Sequence, residues 1–137
     1  MPDPAGYSGT PLLHKLGIKP GQTVFLDRLP DGLELDGLLS RTDLRVVQRL
    51  PRHVDVTLTF HDQAATLERR FDDLVPRTEL AGMIWVCWPK RSSGVPTDLG
   101  EGLVREIGLA GGMVGVKIAA IDATWSGLKF VRRLRDR

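Results

Sequence analysis

Apolar and polar positions along the chain change period from block to block, and the changes mark the elements. Val54, Val56, Leu58 and Phe60 alternate with Asp55, Thr57 and Thr59, a period of two that predicts a strand. Residues 23–26 and 81–88 are almost wholly apolar and read as strands buried on both faces, the second the most buried of all. Residues 44–50 predict another strand, limited by Pro51. Ala64, Leu67, Phe71, Leu74 and Val75 fall at helical spacing, with Glu68, Arg69, Arg70 and Asp72 mainly outside, Asp62 as cap and Pro76 as stop. Leu99, Leu103 and Ile107, with Val104 beside them, predict a second amphipathic helix. Asp98 or Thr97 caps it, Asp98 with Glu101 making a variant capping box, and Gly111-Gly112 ends it. Gly100 and Gly102 weaken it by about 1 kcal/mol each relative to Ala, which suggests close packing or a backbone that must approach something.

Two β-rich runs, 114–121 and 128–134, follow. The connection 122–127 is too short for a crossover helix, so the pair is expected to be antiparallel. The half-polar pattern of the last run suits the periphery of a sheet. Shorter signals add a helix opened by Thr10 and Pro11 and closed by Gly17, and another over 33–39. The order predicts an α/β fold: three layers, a mostly parallel Rossmann-like sheet of about six strands ending in an antiparallel hairpin, and helices on both faces. Residues 1–137 form one domain, with 1–10 an irregular arm rich in Pro and Gly.

Composition narrows the classes. A chain of 137 residues, 42% hydrophobic and 26% charged, suits one soluble core. The net charge of +2 is small, and much of it sits in Arg132, Arg133, Arg135 and Arg137. A basic tail without a compact footprint elsewhere argues against nucleic acid. Cys87 is the single cysteine and lies inside an apolar run, as a buried small hydrophobe would. No stretch approaches the roughly 20 apolar residues of a membrane span, and the first residues lack a secretory pattern. A cytoplasmic protein is the expectation.

Candidate chemistry concentrates after the most apolar strand. Ligands in open α/β sheets sit beyond the carboxyl ends of the parallel strands. There Lys90 and Arg91 bring charge, and Ser92, Ser93 and Gly94 bring hydroxyl and backbone donors. A helix beginning near Thr97 and Asp98 directs free N–H groups the same way, which suits a phosphate or carboxylate. As a cap, Asp98 would satisfy some of those groups itself. The loop lacks the spacing of a Walker A motif. A second polar segment holds Asp122, Thr124, Trp125, Ser126 and Lys129. Thr124 and Ser126 are natural turn residues, and Trp125 in a turn must cover a core edge or wall a pocket. Asp122 is expected to pair with Lys129 across the hairpin, or with Lys90 if the loops meet. Tyr7 and Ser8 would form a lid over this edge or an arm docked on the sheet. His14, His53 and His61 lack metal-ligand spacing and read as surface or capping residues. No metal and no cofactor is expected.

Several strings carry a resemblance: Gly6-Tyr7-Ser8-Gly9-Thr10-Pro11-Leu12, Lys15-Leu16-Gly17-Ile18-Lys19-Pro20-Gly21, the run from Trp88-Pro89-Lys90 through Ser93-Gly94-Val95 to Thr97-Asp98-Leu99, and Asp122 with Thr124 to Lys129. They resemble the bacterial family catalogued as domain of unknown function 3052, over nearly the whole chain. The resemblance implies that these segments belong to one protein type and carries no activity with it. The strand order also resembles a trimmed class I methyltransferase. That resemblance implies a glycine-rich turn after the first strand and an acidic residue after the second, where the cofactor binds. Here the first strand runs into Asp27-Arg28-Leu29-Pro30 and the second ends in Gln48-Arg49-Leu50-Pro51, which argues against S-adenosylmethionine. The leading expectation is a non-enzymatic module binding a small anionic ligand or a protein partner. The alternatives are an enzyme on a degenerate methyltransferase-like scaffold and an oligomerisation module using the terminal hairpin edge.

Overall fold

A computed structural model of the chain describes residues 11–35 and 37–137. Six strands form one mixed sheet in the order β2-β1-β3-β4-β6-β5. β1 (Thr23–Asp27) lies parallel between β2 (Arg45–Val47) and β3 (Val54–Phe60), and β4 (Thr78–Pro89) continues the parallel half beside β3. β5 (Met113–Ala120) and β6 (Trp125–Arg132) close the sheet as an antiparallel hairpin. The α/β class, the strand number and the antiparallel end agree with the hydrophobic pattern.

The two faces carry different layers. On one, α1 (Leu12–Lys15) and the segment through Leu35, Leu38 and Leu44 cover Val24, Leu26, Val56, Leu58, Trp85 and Cys87. On the other, α2 (Ala64–Leu74) and α3 (Glu101–Ala110) bury Leu67, Phe71, Leu74, Val104 and Ile107 against Phe25, Ile84, Val86, Leu128 and Phe130. Alternate residues of β1 and β4 thus enter opposite cores, which is why both read as continuous apolar runs. Trp85 is fully buried, and its indole N–H donates to the Leu16 carbonyl at 3.0 Å, tying α1 to the sheet centre.

Four expectations change. The helix expected over 33–39 is only a 3-10 turn, Leu38–Ser40. The last strand begins at Trp125 rather than 128, so Trp125 is a strand residue. That strand is also interior: β6 inserts between β4 and β5, and β5 is the edge. Finally, packing does not explain Gly100 and Gly102, because a Cβ at either meets nothing within 4 Å. Packing demands glycine instead at Gly108, where a methyl group would run into the Phe130 ring, and at Gly111, where it would meet the Phe71 ring.

Candidate functional site

β4 delivers its carboxyl end to the start of β6. Trp88 pairs with Ser126 and Pro89 with Trp125, and the Lys90 amide donates to the Thr124 carbonyl at 2.7 Å. The loop after β4 and the turn between β5 and β6 are therefore neighbours. The loop is stiffened from within: the Ser93 hydroxyl donates to the Lys90 carbonyl at 2.6 Å and accepts from the Val95 amide. Gly94 adopts φ 76°, a left-handed turn that favours glycine. Further on, the Thr97 hydroxyl donates to the Asp62 carbonyl at 2.6 Å, pinning the loop to the approach of α2.

Asp98 was expected to cap the helix that follows it. Its Oδ1 instead accepts from the Ala64 amide at 2.8 Å, so it caps α2, the place expected of Asp62. α3 starts three residues later with Gly100 at its N-cap and no side-chain cap. Its first-turn carboxylate, Glu101, is engaged by Arg105 at 3.1 Å. The result is an open cleft of about 660 Å³, with Trp88, Lys90, Arg91, Gly100 and Ser126 among its walls. Arg91 is exposed and Lys90 half-buried, and neither makes an ion pair among the described residues.

The remaining expected site residues divide. Asp122 does not pair with Lys129 or Lys90; its Oδ1 accepts from the Thr124 and Trp125 amides at 2.8 and 2.7 Å and so builds the turn. Trp125 meets Phe60 edge-on, with ring centroids 5.3 Å apart, and covers a core edge. Lys129 pairs with Trp85 rather than Pro89, four residues down the ladder and away from the cleft. Tyr7 and Ser8 lie outside the described residues.

A second cluster, which sequence reasoning missed, occupies the ends of β1 and β3, the point where the strand order reverses. Asp27, 5% exposed, accepts from Nε and Nη2 of Arg70, each at 2.9 Å, and the Thr59 hydroxyl donates to it at 2.7 Å. With its proton committed to Asp27, Thr59 accepts from His61 Nε2, also at 2.7 Å. Thr66 stands 3.1 Å from the other ring nitrogen. His61 is 1% exposed, not a surface histidine as expected. Burial, with the nearby charge of Arg28 acting the same way, lowers its pKa to about 4. Burial likewise pushes the Cys87 thiol far up. Asp27 is engaged by Arg70 and Thr59, the lowered pKa makes His61 a weak base, and the Cys87 thiol stays protonated at pH 7, so none is a ready general base or nucleophile.

No protein-family model matches the chain, and no curated protein matches it. Solved structures do. A SAM-dependent methyltransferase from Aquifex aeolicus aligns at a TM-score of 0.60 and 15% identity, covering 86% of each chain. Magnesium protoporphyrin IX methyltransferase from Synechocystis PCC 6803 aligns at 0.60 and 9% identity, over 88% of this chain and 78% of that one. The pyocyanin biosynthetic protein PhzM aligns at 0.59 and 12%, over 88% and 53%. The scaffold is methyltransferase-like. At these identities the likeness is one of fold.

The residues at the reversal point do not fit S-adenosylmethionine held in the way the resemblance implies. The turn after β1 carries Arg28 at φ 59°, a left-handed residue with a full side chain, where the resemblance implies glycine. Arg28 Nε reaches across to the Phe60 carbonyl at 3.2 Å. Asp27 is taken by Arg70, and β2 is followed by Gln48 and Arg49 rather than an acid.

Proposed function

We propose that the chain is a cytoplasmic, non-enzymatic binding module on a methyltransferase-like scaffold, and that its ligand is a small anion seated in the Lys90 cleft. The observation that carries this is the displacement of Asp98. By capping α2 it leaves the first turn of α3 without a side-chain cap, beside two cations that lack carboxylate partners. Uncapped N–H groups, the helix dipole and a Lys–Arg pair favour phosphate or carboxylate. Two of the strings that resemble domain of unknown function 3052 meet at this cleft.

A second reading, an enzyme of this scaffold acting with an S-adenosyl compound, is favoured by the fold likeness. One titration series separates them. Calorimetry and thermal shift are run with phosphorylated metabolites, carboxylates and S-adenosylhomocysteine on wild type and Lys90→Ala. The binding reading expects an anion whose affinity falls at least tenfold in the variant. The absence of any Lys90-dependent anion sinks it. Binding of S-adenosylhomocysteine that survives Lys90→Ala supports the enzyme reading instead.

A further inference from the structure

Four of the five lysines in the sequence lie on α1, its following turn and the β5–β6 ladder: Lys15, Lys19, Lys117 and Lys129. Lys117 and Lys129 are direct cross-strand partners. Like charges so placed are destabilising, and a sheet with no use for them has an easy remedy in one carboxylate. None is supplied: among the described residues no ion pair includes a lysine. The arrangement is also held in place. Lys117 Nζ donates to the Lys15 carbonyl at 2.9 Å, at the C-terminal end of α1. Lys129 is half-buried, and its Nζ would lie 3.8 Å from a Cβ built at Gly17, whose φ of 78° favours glycine. Burial lowers the pKa of Lys129, and the charges of Lys117 and Lys19 lower it further.

We propose that Lys19, Lys117 and Lys129 form a second anion site, separate from the Lys90 cleft, that takes a phosphoryl group. Three ammonium groups carry nine donors, one of them taken by the Lys15 carbonyl, and act as point charges without fixed planar geometry, which suits a tetrahedral multivalent oxyanion. A bound dianion would convert the Lys117–Lys129 repulsion into attraction and raise the Lys129 pKa. The proposal does not depend on the reading of the Lys90 cleft.

The test uses the full chain at low ionic strength, with inorganic pyrophosphate as probe and ADP as a second arm. Pyrophosphate is expected to raise the melting temperature of wild type and, with the first cleft weakened, still to raise that of Lys90→Ala. In the Lys90→Ala background the double variant Lys117→Gln/Lys129→Gln loses that remaining shift, with apparent affinity at least tenfold weaker. Binding of both probes places the phosphoryl group itself as the recognised element; ADP alone would mean that the nucleoside is required, which overturns the proposal as stated. In parallel, the 13Cε resonance of Lys129 reports its titration, and its pKa is expected to rise on adding pyrophosphate. No shift in wild type, an equal shift in Lys90→Ala with and without the double variant, or loss of the shift in Lys90→Ala alone would each overturn the proposal.

Discussion

His61 shows how a single residue couples burial to pH. In the folded chain its pKa lies at about 4 rather than 6.5, with burial the main cause and Arg28 adding to it; Arg70 also lowers it, while Asp27 and Asp62 act the other way. The unfolded chain therefore binds a proton below pH 6.5 that the folded chain refuses until about pH 4. Stability carried by the neutral ring is complete above 6.5 and drains away as pH falls toward 4, by roughly 3 kcal/mol over the window. Urea unfolding at pH 7 and pH 4.5 checks this. His61→Gln should flatten the dependence, and an unchanged slope would assign the acid sensitivity to other groups. The sequence hid this residue for a physical reason. Asp55, Thr57 and Thr59 alternate with apolar neighbours and look like a solvent face, but β3 is covered on both sides and Thr57 and Thr59 have no exposure at all. His61 continues that polar row into the interior, toward Asp27 and Arg70, which lie 34 positions upstream and 9 downstream and so give no local signal.

At the scale of elements, the strongest periodicities located their strands and helices, and the junctions deviated. β1 and β3 match their patterns because both are buried between neighbours. The second strand pairs only over Arg45–Val47, since it is an edge bound to three residues of β1. The helix after β4 begins at Glu101, not beside Asp98, because Thr97 and Asp98 are drawn sideways to Asp62 and Ala64. A local reading assigns a capping residue to the helix that follows it; here the cap crosses from one helix approach to another. Asp98→Ala should cost about 1 kcal/mol, the usual worth of an N-cap. The loss should be confined to α2. Hydrogen exchange is expected to quicken at the amides of residues 64–67 and to stay unchanged at Val104 and Ile107. Faster exchange in α3 without change in α2 would return Asp98 to the role of cap for its own helix.

For the whole molecule, the order of strands in space differs from their order in sequence, and this bears on how the fold is completed. β5 precedes β6 in sequence yet lies at the outer edge, paired in the sheet only with β6. β6 pairs with β4 along Ile84 to Pro89 and brings Leu128 and Phe130, both fully buried, into the core beneath α2 and α3. Phe130 also fills the space left by Gly108 and meets Phe71 edge-on at 5.5 Å. A chain ending at residue 122 keeps four parallel strands but leaves the most apolar strand, β4, as an open edge and removes Leu128 and Phe130 from one core. Exposed apolar edges of that kind associate. Such a chain is expected to be insoluble or to lack a cooperative transition, even though it retains the Lys90 loop. A chain ending at residue 133 loses only the terminal 3-10 turn and the Arg137 Nε bond to the Arg132 carbonyl. It should melt within a few degrees of the full chain. Calorimetry on both truncations decides the point: a cooperative transition in the shorter one would show that the parallel half is stable alone and that the hairpin is an addition to it.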